Sequence, residues 1–274
     1  RWSMPFVMAG AFLAPYQELR PFAILFTYSD MLFVAGSLLL IFERGINLRP
    51  FGTFSTLWYF AFAMMILALL LSSVVNGGVE RWPIVAGQYF FAYVILAVII
   101  MPTDSGRWRG LALAFLVGVL TMEIVTFALY FYYNESYSEL SQRVSTGFMT
   151  GSGRIGSFVG DANYHASVIV GGLLFGYGWP AKGWRPRWVA AISLTILGAA
   201  LLYTASNTGL AAAVLVSVVF FLAGRIRLRA AYIGAAALAA LAFIASGAPL
   251  PRAFEQRVAP ALASGNIEDA GTFT

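Results

Sequence analysis

The chain has 274 residues, of which 60% are hydrophobic and 11% charged, with a net charge of +5, one histidine and no cysteine. A soluble domain carries about 25% charged residues, so a mean hydropathy of +0.79 excludes an ordinary soluble fold and predicts a polytopic integral membrane protein. Disulfides and a His/Cys metal cluster are excluded as well.

Apolar runs predict helices over 3–15, 22–42, 54–75, 84–101, 110–132, 162–180, 188–204, 209–224 and 230–247. The expected fold is all-α, a helical bundle of about nine transmembrane helices over residues 1–247, with a long polar loop at 133–161. A second polar segment, 248–274, begins a large loop. With no initiating Met and no helix after 248, the protein is expected to continue beyond Thr274. Asp30, in "TYSDMLF", sits near a helix end and reads as structural. Glu123 lies inside "LTMEIVTFALYFYYNE" (120–135). A carboxylate at membrane depth costs a few kcal/mol; it is either a functional group or the partner of a polar group on a neighbouring helix. "YFYYNESY" (130–137) reads as an interfacial aromatic belt, with sugar stacking as the alternative.

Orientation follows from Lys and Arg in alternate loops. One set holds eleven: Arg1, Arg44, Arg49, Arg107, Arg109, Lys182, Arg185, Arg187, Arg225, Arg227 and Arg229. The other holds six: Arg20, Arg81, Arg143, Arg154, Arg252 and Arg257. The first set is expected in the cytoplasm, so 133–161, 248–274 and the short turn "TASNTG" (204–209) face outward. Arginines kept on the outer side suggest a binding role.

The stretch "TGSGRIGSFVGDANYHASVIVGG" (150–172) passes from a Gly-rich loop into an apolar helix. Guanidinium grips phosphate through two parallel hydrogen bonds, and a helix N-terminus offers free N–H groups to an anion. Arg154 therefore reads as a phosphate contact; the bland alternative is an arginine snorkelling to headgroups. Asp161 and Asn163 suit the start of a helix as caps. His165 is either a general base or a hydrogen-bonded structural residue. In "YTASNTGLAAAV" (203–214), Ser206, Asn207 and Thr208 can satisfy turn backbone, and small residues favour close helix packing.

At "GRIGSFVGDANYHA" the sequence resembles the O-antigen ligase and O-antigen polymerase family of bacterial envelope glycosyltransferases. Arg154, Gly156, Phe158 and Asn163 stand as that family's arginine, Gly-x-Phe and helix-opening Asn. "SNTG", Ser206 to Gly209, stands where the family often has Ser-Arg-Thr-Gly, so Asn207 replaces an arginine. The family's loop arginine and histidine have no match before Thr274. The resemblance implies a GT-C-like bundle in the bacterial inner membrane, with its site facing the periplasm. It implies metal-independent transfer, with no cofactor, of a glycan from undecaprenyl pyrophosphate to an acceptor glycan or glycolipid. The expected partners are those substrates and membrane lipid, not nucleic acid. Arg154 and Asn163 are the expected catalytic residues. Arg143, Arg252, Arg257, Ser206 and Asn207 are the expected phosphate contacts, and Asp161, His165 and Glu123 accessories. The base is expected beyond Thr274. The alternative is a transporter or flippase of a polyprenyl-linked or other anionic lipid; a structural scaffold leaves the outer arginines unexplained.

Overall fold

The computed structural model describes residues 2–21, 26–44, 47–100, 105–178 and 187–222. Among these residues the chain is helical and contains no strand, only a single antiparallel bridge between Met149 and Ile155. The helices are α1 (Ser3–Leu13), α2 (Tyr28–Arg44), α3 (Ser55–Val75), α4 (Trp82–Phe90), α5 (Leu96–Ile100), α6 (Ser105–Tyr132), α7 (Tyr137–Arg143), α8 (Ala162–Gly178), α9 (Arg187–Thr204) and α10 (Asn207–Leu222). The helix expected at 230–247, the segment 248–274, Arg252 and Arg257 lie outside the described residues. Among the described residues three segments are long and apolar enough to cross a membrane: Gly52–Val75, Val79–Val98 and Arg109–Tyr132. Ser3–Leu13, Ile192–Thr204 and Asn207–Leu222 are apolar but shorter.

By internal contacts the chain divides into two compact units. The first comprises Arg1–Ala11 and Tyr28–Leu111. Here α1 and α2 run antiparallel. The Ser3 hydroxyl donates to Glu43 Oε2 at 2.7 Å, and at the other end Ser29 Oγ donates to the Gly10 carbonyl at 2.8 Å. None of the apolar stretch of α3 is buried; Leu57, Phe60 and Leu71 point outward, as lipid contact requires. Between α4 and α5, Phe91–Ile95 widens into a π-helical turn. Such a turn loosens the regular ladder; the Trp58 indole N–H donates to the Tyr93 carbonyl there at 3.0 Å.

The second unit comprises Phe12–Thr27 and residues from Ala112 onward. Its helical core joins α6, α8, α9 and α10 through Leu116, Val119, Ala166, Ile169, Leu197 and Ala213. Small residues permit the close approach: a Cβ on Gly209 would meet that of Ala166 at 2.5 Å. The polar segment 133–161 is folded rather than a bare loop. It contains α7, whose start has a capping pattern: the Ser136 hydroxyl accepts the Glu139 N–H at 3.5 Å. Leu140, Phe148, Met149 and Ile155 pack with Tyr130 into a second core over the end of α6.

Two glycines let this segment fold on itself. Gly160 has φ +83°, and a Cβ on Gly147 would run into the Gly160 carbonyl oxygen. Backbone cannot yield as a side-chain tip can, and overpacking costs about 1–3 kcal/mol. Gly147→Ala should therefore open the segment and speed tryptic cleavage after Arg154 about tenfold, since 1.4 kcal/mol is a factor of ten. Gly151→Ala is the control, because a Cβ there meets open space. Equal cleavage of the two variants would show that the 147–160 crossing does not hold the segment.

Candidate functional site

The site forms where α8 and α10 begin. Asp161 precedes α8, and its Oδ1 accepts the N–H groups of Asn163 at 2.8 Å and Tyr164 at 3.0 Å. That is an N-cap, so Asp161 already occupies amides that would otherwise face an anion. Ser206 caps α10 in the same way, accepting the Gly209 N–H at 3.2 Å. Its hydroxyl also donates to Asn163 Oδ1 at 3.1 Å. The same amide oxygen accepts from Arg154 Nη2 at 2.7 Å, while Arg154 Nε donates to the Thr204 carbonyl at 3.0 Å. Arg154, Asn163 and Ser206 thus meet on one oxygen. Two helix N-termini, each the positive end of a dipole, converge on a guanidinium whose plane is fixed at two points.

A buried layer lies beneath. His165, one turn into α8, is 1% exposed, and Glu123 on α6 is 0% exposed. His165 Nε2 lies 2.8 Å from Glu123 Oε1, and Nδ1 lies 2.9 Å from the Ile155 carbonyl. A carbonyl only accepts, so Nδ1 carries a proton. Nε2 and Glu123 then share one further proton, as imidazolium and carboxylate or as imidazole and carboxylic acid. One turn along α6, Thr126 Oγ1 lies 2.6 Å from Ser157 Oγ, and Ser157 is held at φ +53°. Glu18 joins from the 12–27 segment: its N–H donates to the Phe158 carbonyl at 2.7 Å, and its carboxylate accepts from Ser145 Oγ at 3.2 Å. In the same segment, burial and then the nearby Glu123 carboxylate push the Tyr16 phenol up, which keeps it protonated at neutral pH.

The sequence-predicted residues divide cleanly. Arg154, Asn163 and Ser206 come together. Asp161 acts as a cap. His165 and Glu123 pair with each other below the surface, where His165 has both ring nitrogens engaged and meets no solvent-borne hydroxyl. Arg143 is engaged elsewhere, in an i,i+4 ion pair with Glu139 at 2.6 Å on the exposed side of α7. The Asn207 side chain makes no hydrogen bond among the described residues. Sequence reasoning missed Thr204, Glu18, Thr126 and Ser157. Thr204 acts through its carbonyl, which the Ala205 turn at φ +45° aims at Arg154, and a backbone oxygen leaves no side-chain signature. The Glu123–Thr126 spacing of three, one helix face, was a readable signal. Among the described residues no group of three or more His, Cys, Asp or Glu converges.

Fold and site define a class: an all-helical protein with helices suited to a membrane, and an arginine–amide–hydroxyl cluster over a buried carboxylate–imidazole pair. No protein-family model, no curated protein and no solved structure matches this chain.

Proposed function

We propose that the protein is a membrane glycosyltransferase. It moves a glycan from an undecaprenyl-pyrophosphate carrier to a sugar or lipid-sugar acceptor, at the outer face of the bacterial inner membrane, as an O-antigen ligase or polymerase does. The observation that carries this reading is the fixed Arg154 guanidinium at two converging helix N-termini. Ile155, bonded to Arg154, packs with Tyr130 near the end of the apolar segment Arg109–Tyr132, and a lipid-linked pyrophosphate would lie at such a boundary. In the reaction an acceptor hydroxyl attacks the anomeric carbon, its proton passes to water or to the departing pyrophosphate, and the pyrophosphate leaves with the electrons of the broken C–O bond. Charge grows on the leaving oxygen, and preorganised donors there lower the barrier. Arg154 supplies the charge; Asn163 and Ser206 hold it in place. The proposed architecture is a GT-C-like bundle of about nine membrane helices.

The direct test is transfer in proteoliposomes loaded with an undecaprenyl-pyrophosphate oligosaccharide and an acceptor glycolipid. Release of undecaprenyl pyrophosphate should be unchanged by EDTA. Transfer that EDTA abolishes and magnesium restores would overturn the metal-independent mechanism. Sidedness has its own test. Cysteine in place of exposed Gln142 should react with an impermeant thiol reagent in intact spheroplasts, and cysteine in place of Leu48, in the cytoplasmic set, should not. The reverse pattern would put Arg154 on the wrong side for this reaction.

A second reading, a transporter or flippase of an anionic lipid, is favoured by the buried Glu123–His165 pair, since intramembrane ionisable groups accompany proton relays. It predicts proton-driven lipid movement that Glu123→Gln abolishes, without release of pyrophosphate.

A further inference from the structure

Beside the Arg154 cluster lies a cavity of about 450 Å³, within the range of small-ligand sites. It is formed between the end of α6, the start of α7 and the Gly-rich turn 151–153. Tyr130, Asn134, Glu135, Ser136, Tyr137 and Ser152 line it. Tyr130 is buried and packed edge-on against Tyr203, at 5.4 Å between ring centres. Tyr137 is half exposed at the rim. Asn134 and Glu135 both adopt positive φ, 48° and 60°, which reverses the chain after α6 at the cavity wall. The Glu135 side chain makes no hydrogen bond among the described residues.

The lining selects a ligand chemistry. Its one charged side chain is a carboxylate and it has no cationic one, so phosphate belongs to Arg154 and not here. Its hydroxyl, amide and carboxylate groups make it a poor place for an acyl chain. A carboxylate accepts two hydroxyls at once, an amide both donates and accepts, and tyrosine rings offer an apolar face with a polar tip. That combination suits a neutral sugar, whose rim is hydroxyl and whose faces are C–H. Gly153, on the wall, is bonded to Arg154 in the chain, so one turn of backbone joins the cavity to the proposed pyrophosphate contact.

We propose that this cavity is a saccharide subsite. Which substrate the sugar belongs to, donor glycan or acceptor, rests on the glycosyl-transfer reading; the binding itself rests on the cavity. Glu135 and Asn134 hold the hydroxyls and Tyr137 covers one face.

The test uses the full chain in nanodiscs without maltoside detergent, whose headgroup would compete. The probes are free neutral disaccharides of the gluco, galacto and N-acetyl types, with choline as a cationic control and inorganic pyrophosphate as an anionic one. Ligand-observed saturation-transfer NMR should detect at least one disaccharide. Glu135→Gln, which keeps the shape but removes the charge, should weaken it about tenfold, the effect of one hydrogen bond to a charged group. Gly151→Trp should abolish it by setting a bulky ring at the cavity wall, where a Cβ meets open space. Arg154→Ala should leave free-disaccharide binding intact. Choline binding tighter than every sugar, or no sugar signal that Gly151→Trp removes, would overturn the proposal. A polyprenyl-pyrophosphate disaccharide separates the two sources. If the sugar is the donor's, linkage tightens binding in a manner that Arg154→Ala removes. If it is the acceptor's, free disaccharide still binds when the linked compound saturates. Sugar binding at the cavity without any transfer would sink the glycosyltransferase reading alone. Transfer whose KM for both substrates ignores Glu135→Gln and Gly151→Trp would sink the subsite alone.

Discussion

Arg154→Ala and Arg154→Lys are both expected to lower glycan transfer about a hundred- to a thousand-fold, the cost of about 3–4 kcal/mol seen when one donor to a developing oxyanion is lost. Lysine fails for a geometric reason. Arg154 reaches the Thr204 carbonyl through Nε and Asn163 through Nη2, and a single ammonium cannot hold both points or present a planar fork. The same contacts also stabilise the fold, so activity alone does not separate the roles. Asn163→Asp does. A carboxylate at that position would pair with the guanidinium now 2.7 Å away, in the first turn of a helix, where an acid is favoured. Stability should hold or rise while transfer falls at least tenfold, because the charge meant for pyrophosphate is taken up internally. If Arg154 serves only the fold, Asn163→Asp should transfer normally and Arg154→Ala should lose activity only in step with its folded fraction. That result would return Arg154 to a purely structural class.

The helices were legible because their signal is collective. Runs such as 54–75 and 110–132 are apolar over the length of a bilayer, and the structure has helices at Ser55–Val75 and Ser105–Tyr132. The 22–42 expectation overlaps Tyr28–Arg44; residues 22–25 lie outside the described residues, and the helix runs past 42 through Glu43 and Arg44 because hydropathy marks the apolar run and not its polar end. The segment 133–161 was under-read. Its composition is polar overall, yet Ser136 and Glu139 carry the spacing of a capping box, and α7 follows from it. In the site, Arg154 and Asn163 stood out because a charge and an amide at a helix entrance are conspicuous. Their union with Ser206, 43 residues further on, depends on how α10 packs against α8, which no local pattern encodes. Glu123 was conspicuous and so was His165. The pairing between them was not, because it crosses 42 residues and two helices.

That pairing carries the largest expected effect on stability. Glu123→Ala and His165→Ala should each cost about 3–5 kcal/mol, the penalty for breaking a buried pair and leaving one member unsatisfied. Polar contacts between membrane helices average nearer 0.6 kcal/mol, and the choice between the two figures turns on burial. Here both side chains are at most 1% exposed, so no lipid headgroup or water replaces the missing partner. Glu123→Gln should be far milder. With Nδ1 protonated against the Ile155 carbonyl, a neutral imidazole accepts at Nε2, and the glutamine amide donates to it. The double variant Glu123→Ala/His165→Ala should cost less than the sum of the two, by a coupling of about 0.5–3 kcal/mol. Reversible unfolding of the protein in bicelles, titrated with denaturing detergent, measures all four. The consequence reaches the surface through one peptide: His165 holds the carbonyl of Ile155, the residue bonded to Arg154, so His165→Ala should also expose the 150–160 segment to trypsin while Glu123→Gln does not. Alanine variants that unfold within about 1 kcal/mol of the parent would show that the pair anchors nothing. The buried carboxylate and its imidazole would then be better explained by proton movement than by positioning of the arginine above them.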